Sequence, residues 1–130
     1  MQRNMGKKIA IIDDEQDIVT YLSSVLQDNG FEVCTATNAN DGFELVRTQH
    51  PDLVCLDILM PEETGCSLFR RIKDDKTLQG IPVLIITGLN VQQDLSRLFG
   101  NNGDRREPDG YIEKPIDLQA LISAIQRLTS

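Results

Sequence analysis

The stretch DLVCLDILMPEETG, residues 52–65, contains an apolar run that ends in a single carboxylate, Asp57. A short apolar segment followed by a proline and a glycine predicts a strand that is buried on both faces. Such strands occur in parallel sheets with helices on either side, and their carboxyl ends carry the chemistry of α/β folds. Asp57 is therefore a candidate functional residue, although an aspartate near proline and glycine is equally typical of a solvated loop.

The rest of the chain repeats this strand character and places helices between the strands. Strands are predicted at 8–13, 31–36, 52–57, 81–87 and 109–114. Apolar residues with helical spacing predict helices around 18–26, 91–99 and 118–128, and weaker spacing indicates two more at 40–49 and 65–75. Asn29-Gly30 is typical of the end of the first helix, and Asp117 is typical of the cap of the last. Five strands alternating with five helices predict a three-layer α/β fold with a parallel sheet.

Length and charge exclude several classes of protein. A chain of 130 residues predicts one compact domain, 1–130, that needs no disulfide and no structural metal. The net charge of −7 argues against binding nucleic acid, which requires clustered lysine and arginine. The apolar run near the amino terminus is too short for a signal peptide or a membrane span, so we expect a cytoplasmic protein without membrane contact.

Two further groups of residues are interpreted as structural. The cysteines Cys34, Cys55 and Cys66 form no CxxC pair, and we expect them to be small buried hydrophobic residues in a reducing compartment. The basic cluster at 70–73 is expected to be the solvated face of a helix. Neither group therefore predicts a metal site or a binding surface.

Polar side chains stand at the carboxyl ends of four predicted strands. They are Asp13, Asp14 and Glu15 at the first strand, Asp57 at the third, Thr87 at the fourth and Lys114 at the fifth. In a doubly wound sheet these ends converge on one crevice. Two carboxylates about 4 Å apart repel by roughly 4 kcal/mol at an effective dielectric of 20, so the cluster must bind protons or a cation. Oxygen ligands without histidine or cysteine favour Mg²⁺ over zinc.

Together with Mg²⁺, these residue types make up a phosphoryl-transfer site. A carboxylate can be the nucleophile that becomes an aspartyl phosphate, a metal and a lysine neutralise the transferring oxygens, and a hydroxyl donates to a third oxygen. Asp57 is the predicted acceptor, and Lys114 and Thr87 are the predicted contacts. Taken alone, Lys114 is more typical of a surface salt bridge and Thr87 of an ordinary strand residue. The prediction therefore depends on both residues lying at strand ends together with the carboxylates.

Four motifs, in this order and spacing, resemble a known family. They are IIDDE at 11–15, LDILMPEETG at 56–65, ITG at 86–88 and YIEKP at 111–115. The set is similar to the receiver domain of two-component response regulators, a flavodoxin-like, CheY-like family. The resemblance covers a core of 7–128 and implies a doubly wound, five-stranded parallel sheet with strand order 2-1-3-4-5.

The resemblance also implies a phosphoryl donor and a metal. Asp57 would accept a phosphoryl group from a histidine of a partner, either a histidine kinase or a histidine phosphotransfer protein. Asp14 and Asp57 would bind Mg²⁺ directly, Asp13 would bind it mostly through water, and the Leu59 backbone carbonyl would be a further ligand. Self-catalysed phosphorylation and dephosphorylation, without turnover of an external substrate, is the activity that this resemblance implies.

Other residues receive switching and structural roles from the same resemblance. Thr87 and Tyr111 would be the switch pair: phosphorylation draws the hydroxyl inward and the aromatic ring fills the vacated space. Pro61 and Gly65 would shape the loop after Asp57. Pro115 would follow Lys114 through a cis peptide bond.

Phosphorylation would then act by a population shift. The surface formed by the helix at 91–99, the strand at 109–114 and the helix at 118–128 would change its affinity for a downstream protein or for an output domain of a larger parent protein. A weak dimer is compatible with this interpretation. A stand-alone receiver and a domain cut from a larger kinase or regulator are both consistent with the sequence.

The sequence departs from the family pattern in two places. The segment 100–110 is longer than the usual turn and predicts a surface loop, either a tolerated insertion or a partner-specific element. Gly88 stands where the family commonly has alanine. Leu59 and Leu89 flank the expected path of attacking water and offer it no hydrogen bond, so we hypothesise slow self-dephosphorylation.

Three alternatives belong to other classes. A small phosphatase of the haloacid dehalogenase type would need a second aspartate two residues after the nucleophile, where this chain has Leu59. A flavodoxin would need a Gly, Ser and Thr loop after the first strand, where the acidic run 13–15 would repel phosphate. The third alternative is an interaction module that works without phosphorylation.

Overall fold

A computed structural model describes residues 6–58, 65–88 and 107–130, and within these ranges the predicted strands and four of the predicted helices form. The strands are β1 Lys8–Ile12, β2 Glu32–Ala36, β3 Leu53–Asp57, β4 Val83–Thr87 and β5 Gly110–Glu113. The helices are α1 Gln16–Asp28, α2 Ala39–Gln49, α3 Gly65–Asp74 and α4 Leu118–Thr129. The helix predicted at 91–99 lies outside the described residues. No helix in the described ranges has both the length and the apolar character needed to cross a membrane.

The five strands form one sheet in the order β2-β1-β3-β4-β5, and every pair is parallel. This is the strand order that the resemblance implied. All five residues of β3 and all five of β4 are buried, because these central strands are covered by helices on both faces. The continuous apolar runs therefore predicted the interior of the sheet correctly.

Alternate side chains of the strands enter two separate cores. On β1, Ala10 and Ile12 face the core beneath α2 and α3, whereas Ile9 and Ile11 face the core beneath α1 and α4. The separation follows from the two-residue period of a strand. Complete burial of one such isoleucine stabilises the fold by about 1.5–3 kcal/mol.

The predicted helix ends are confirmed. The chain leaves α1 through Gly30 in the left-handed region, φ +91°, and the Phe31 N–H donates to the Leu26 carbonyl at 3.0 Å. Asp117 caps α4 by accepting hydrogen bonds from the backbone N–H groups of Gln119 and Ala120 at 3.0 and 3.2 Å.

The prediction that residues 70–73 form a solvated face is wrong for Lys73. Its side chain is only 11% exposed, and its ammonium donates to the carbonyls of Gln79 and Ile81 at 3.0 and 2.9 Å. The same ammonium lies 3.9 Å from Asp109. The lysine turns inward because α3 ends beside the start of β4, where backbone carbonyls need a donor. The three cysteines are free; Cys55 and Cys66 are buried, as expected, whereas Cys34 is only half-buried.

Candidate functional site

The predicted site residues converge at the carboxyl edge of the sheet. Asp57 is the last residue of β3, and Thr87 is the last residue of β4. Asp13 directly follows β1, and Lys114 directly follows β5. They meet because β1, β3, β4 and β5 are parallel neighbours in this order, so all of these ends lie on one side of the molecule.

Four carboxylates surround the centre of this edge. Asp13, Asp14, Glu15 and Asp57 each contribute one oxygen, and these oxygens all lie within 4.8 Å of one another. Asp13 and Asp57 are buried, each with 3% exposure, whereas Asp14 and Glu15 are exposed. Buried carboxylates this close repel strongly unless a cation lies between them. A group of hard oxygen donors, partly open to water, fits Mg²⁺.

Lys114 supplies one cation to this cluster. Its ammonium lies 3.2 Å from Asp13 Oδ2, 3.3 Å from Glu15 Oε1 and 3.6 Å from Asp57 Oδ2. Partial burial lowers the pKa of Lys114, but the charges of Asp57 and Asp13 and the hydrogen bonds to Asp13 and Glu15 outweigh it, so the pKa lies above its ordinary value. Lys114 is therefore protonated at neutral pH, and its charge is shared among Asp13, Glu15 and the candidate acceptor Asp57.

Backbone contacts position both ends of this ion-pair network. The Asp13 N–H donates to the Ala36 carbonyl at 3.2 Å, which extends the ladder between β1 and β2 by one residue. The Lys114 N–H donates to the Thr87 carbonyl at 2.8 Å, which extends the ladder between β4 and β5 in the same way. The Lys114–Pro115 peptide bond is cis, as the resemblance implied. The two side chains therefore project from regular sheet structure.

Gly65 packs against the backbone of the candidate acceptor. Its N–H donates to the Ile58 carbonyl at 2.8 Å, and a Cβ atom on Gly65 would lie 2.3 Å from the Asp57 carbonyl oxygen. Only glycine fits this approach, so the predicted structural role of Gly65 has a direct steric cause. The predicted roles of Leu59 and Pro61 fall outside the described residues.

Thr87 and Tyr111 lie on the same face of the sheet. Tyr111 is opposite Ile85 in the register of β4 and β5, and Thr87 is two residues further along β4. Thr87 is fully buried, whereas Tyr111 is half-buried and packs against the α2 and α3 core. Burial, together with the charges of Glu107 and Cys66, raises the pKa of Tyr111, which is therefore neutral. The two residues lie on one face of neighbouring strands, and their role as a switch pair stays a prediction.

Gly88 leaves open space at the edge of the site. No described atom lies within 4 Å of the position that a Cβ would occupy on Gly88. The small residue is therefore not demanded by packing within the described part of the chain. Leu89, the residue that motivated the hypothesis of slow dephosphorylation together with Leu59, lies outside that part.

Sequence reasoning missed one contact, between Glu15 and Lys114. Glu15 was recognised as part of the acidic run 13–15. The sequence did not show which of the three carboxylates in that run would contact the lysine. The structure brings Asp13 and Glu15 to Lys114 by hydrogen bonds. The acidic run was the available signal, and the pairing required the geometry.

The assembled groups can accept an anionic electrophile. Asp57 offers a carboxylate oxygen as nucleophile, and Lys114 offers a fixed positive charge beside it. The hydroxyl of Thr87 belongs to the neighbouring strand end. A metal bound by the acidic residues would add further positive charge where the oxygens of a phosphoryl group must lie.

Known sequences with the same pattern match nearly the whole chain. The family profile described as response regulator receiver domain matches residues 9–126. Protein PilH of Pseudomonas aeruginosa is 32% identical over 118 residues, which cover 91% of this chain and 93% of that protein.

Solved structures agree with the architecture. The signal receiver domain of a signal transduction histidine kinase from Syntrophus aciditrophicus superposes with a TM-score of 0.83 at 28% identity, covering 95% of this chain and 90% of that one. Response regulator protein TrrA from Thermotoga maritima, in complex with Mg²⁺-BeF, superposes with a TM-score of 0.78 at 27% identity. The match covers 94% of this chain and 98% of that one.

Proposed function

Because the chain belongs to the response regulator receiver domain family, we propose that it is a phosphoacceptor module in which Asp57 receives a phosphoryl group from a partner histidine. The observation that carries the proposal is the placement of the Lys114 ammonium 3.6 Å from Asp57 Oδ2, inside a cluster of carboxylates. The donor would be a histidine kinase or a histidine phosphotransfer protein. A single receiver domain with a core of 7–128, in the cytoplasm, is part of this proposal.

The reaction is a displacement at phosphorus. A carboxylate oxygen of Asp57 attacks the phosphorus of the donor phosphohistidine, an O–P bond forms, and the N–P bond breaks. The imidazole leaves with the electron pair of that bond. Lys114 compensates the negative charge on one phosphoryl oxygen, and the Thr87 hydroxyl donates to another.

The acidic residues fit a Mg²⁺ site. Asp14 and Asp57 would hold the ion directly and Asp13 mostly through water, and the ligand oxygens of these residues lie within 4.8 Å of one another. When bound, Mg²⁺ supplies positive charge that neutralises phosphoryl oxygens. The complex of TrrA with Mg²⁺-BeF supports this proposal for a related chain.

The output would be a change in partner affinity. A phosphoryl group on Asp57 offers an acceptor for the Thr87 hydroxyl, and movement of that buried side chain alters the packing beside Tyr111 on the same face of the sheet. The downstream partner is a protein or an output domain. Turnover of an external substrate is not part of the proposed function.

Incubation of the purified protein with Mg²⁺ and acetyl phosphate tests the proposal. Intact-protein mass spectrometry should show the gain of one phosphoryl group, and the gain should disappear without Mg²⁺ or in Asp57→Asn. Asp52→Asn is the matched control, because Asp52 precedes the same strand at its other end and accepts a hydrogen bond from the Lys8 N–H at 2.8 Å. Asp52→Asn should be phosphorylated like the wild type.

Small donors serve some receivers poorly, so a purified histidine kinase labelled on its histidine is the second donor. Phosphorylation of Asp57→Asn at the wild-type level would contradict the assignment of the acceptor. Failure of the wild-type protein with both donors would favour the alternative of a module that works without phosphorylation.

A further inference from the structure

Glu15 holds the lysine of the site by an ion pair. The Lys114 ammonium donates to Glu15 Oε1 at 3.3 Å and to Asp13 Oδ2 at 3.2 Å, and both oxygens are nearer than Asp57 Oδ2 at 3.6 Å. In this state the lysine therefore lies towards the β1 side of the site. Asp57, the carboxylate at which phosphoryl transfer takes place, therefore has the longest of the three contacts with the lysine.

The position of Glu15 directly before α1 supports a role in the site rather than in the helix. Glu15 is the N-cap residue of α1, yet its side chain makes no capping hydrogen bond to that helix, all of which lies in the described part of the chain. The N-cap residues of α2 and α4, Asn38 and Asp117, both accept such bonds. Glutamate is also not among the preferred N-cap residues.

Asp13 contacts both the backbone of Glu15 and the ammonium of Lys114. The Glu15 N–H donates to Asp13 Oδ1 at 2.9 Å, while Asp13 Oδ2 accepts from Lys114. Asp13 thus links the backbone of Glu15 to the lysine that the Glu15 carboxylate contacts. Glu15 is 58% exposed in its side chain, so this ion pair adds little to stability and its effect is on the position of Lys114.

We propose that Glu15 is a positioning residue that competes with Asp57 for Lys114 and so restrains phosphorylation. The inference rests on the proposed function of Asp57. A donor that carries negative charge must approach Asp57, and Glu15 opposes this approach in two ways: it withholds part of the lysine charge, and it adds a negative charge of its own. Release of Lys114 from Glu15 then favours transfer.

Three variants separate the effect of the ion pair on the phosphorylation rate from the effect of the negative charge itself. Glu15→Gln removes the charge and keeps the size, and we expect the rate constant of phosphorylation by acetyl phosphate to rise about threefold, the scale of one partly exposed ion pair. Glu15→Asp keeps the charge but is one methylene shorter, and it should also accelerate the reaction. Asp17→Asn removes an exposed charge from the first turn of the same helix, and it should stay near the wild-type rate.

A second readout does not depend on phosphorylation. In Mg²⁺-free protein labelled with ¹⁵N-lysine, the side-chain resonance of Lys114 is assigned by its absence in Lys114→Arg. The chemical shift of this resonance should change in Glu15→Gln and stay the same in Asp17→Asn. Mg²⁺ affinity, measured by calorimetry, should fall modestly in Glu15→Gln, because the removed charge lies within 4.8 Å of the other carboxylate oxygens, and should stay near the wild-type value in Asp17→Asn. A much larger loss of Mg²⁺ affinity in Glu15→Gln, with slower phosphorylation, would overturn the proposal and make Glu15 a metal ligand instead.

The outcomes distinguish this inference from the function on which it rests. If the wild type accepts phosphate while Glu15→Gln matches Asp17→Asn in rate and in the lysine resonance, the positioning role is overturned and the receiver chemistry stands. If the wild type accepts no phosphoryl group from either donor, the proposed function fails and the restraint on phosphorylation falls with it.

Discussion

The Lys114 ammonium lies 3.6 Å from the Asp57 carboxylate although the two residues come from strand ends that are separated in the sheet by β4. The side chain of Lys114 bridges that gap and reaches Asp13 as well, at 3.2 Å. The positive charge of Lys114 thus contacts both Asp57 and Asp13.

Removal of the Lys114 charge should slow phosphorylation and strengthen Mg²⁺ binding. Lys114→Gln is expected to lower the rate constant with acetyl phosphate at least about tenfold, because a preorganised charge at the developing negative charge is lost. The variant should bind Mg²⁺ more tightly, since the carboxylates lose a competing cation. Rates by mass spectrometry and affinity by calorimetry measure both effects, with exposed Lys76→Gln as the control. An unchanged rate in Lys114→Gln would contradict the role.

Gly65 should not tolerate a side chain. In Gly65→Ala the new Cβ would lie 2.3 Å from the Asp57 carbonyl oxygen, so the start of α3 or the end of β3 must move. We expect a loss of about 1–3 kcal/mol in the free energy of unfolding, measured in urea, and slower phosphorylation. Gly80→Ala is the matched control, because no described atom lies within 4 Å of a Cβ there. Equal stability of the two variants would be inconsistent with this packing.

Alkaline pH should destabilise the protein through Cys55. Burial raises the pKa of this thiol from 9.0 to about 12. Between these values the unfolded chain loses the thiol proton and the folded chain keeps it, so stability falls as pH rises. The contribution of Cys55 amounts to a loss of about 2 kcal/mol between pH 9 and pH 11.

Urea unfolding of wild type and Cys55→Ala at several pH values isolates that contribution. Cys34 and Cys66, whose pKa values are also raised by burial, remain in both proteins. Cys55→Ala should be less stable at pH 7, because a buried group is removed, but it should lose less stability as the pH increases. Parallel pH profiles would show that the thiol does not titrate as described.

Lys73 should stabilise the fold at the amino end of β4 without affecting phosphorylation. Lys73→Met leaves the carbonyls of Gln79 and Ile81 without this donor, which should cost about 1–3 kcal/mol of stability. Phosphorylation should stay near the wild-type rate, because these contacts lie at the start of β4, away from the carboxyl edge. Lys76→Met, at an exposed position of the following turn, serves as the control for loss of a positive charge.

Tyr111 should become less accessible when the site carries a phosphoryl mimic. The chain has two tyrosines and no tryptophan, so Tyr21→Phe, which changes a residue that is 54% exposed, leaves Tyr111 as the reporter. Acrylamide quenching of its fluorescence should decrease on addition of Mg²⁺ and beryllofluoride, because the ring moves into the space beside Thr87. Asp57→Asn in the same background should show no decrease. Equal quenching with and without the mimic would argue against the switch.

The sequence by itself predicted the architecture because its patterns are local. The apolar run of β3 and the helical spacing of α4 each depend only on which neighbouring residues must be buried, and the glycine at 30 and the aspartate at 117 fix the adjoining helix ends by backbone geometry. The order of polar residues at the strand ends was also sufficient to place Asp13, Asp57 and Lys114 in one site, since parallel strands present all their carboxyl ends on one edge.

Tertiary structure alone decided which side chains meet. A run of acidic residues does not reveal that Glu15 turns from its helix to Lys114, because that contact depends on how α1 and β5 lie across the sheet. A basic segment likewise does not show that Lys73 points inward, since its partners are carbonyls of the following turn. Local periodicity determines burial, whereas the direction of a long charged side chain is determined by distant groups that only the folded chain brings within reach.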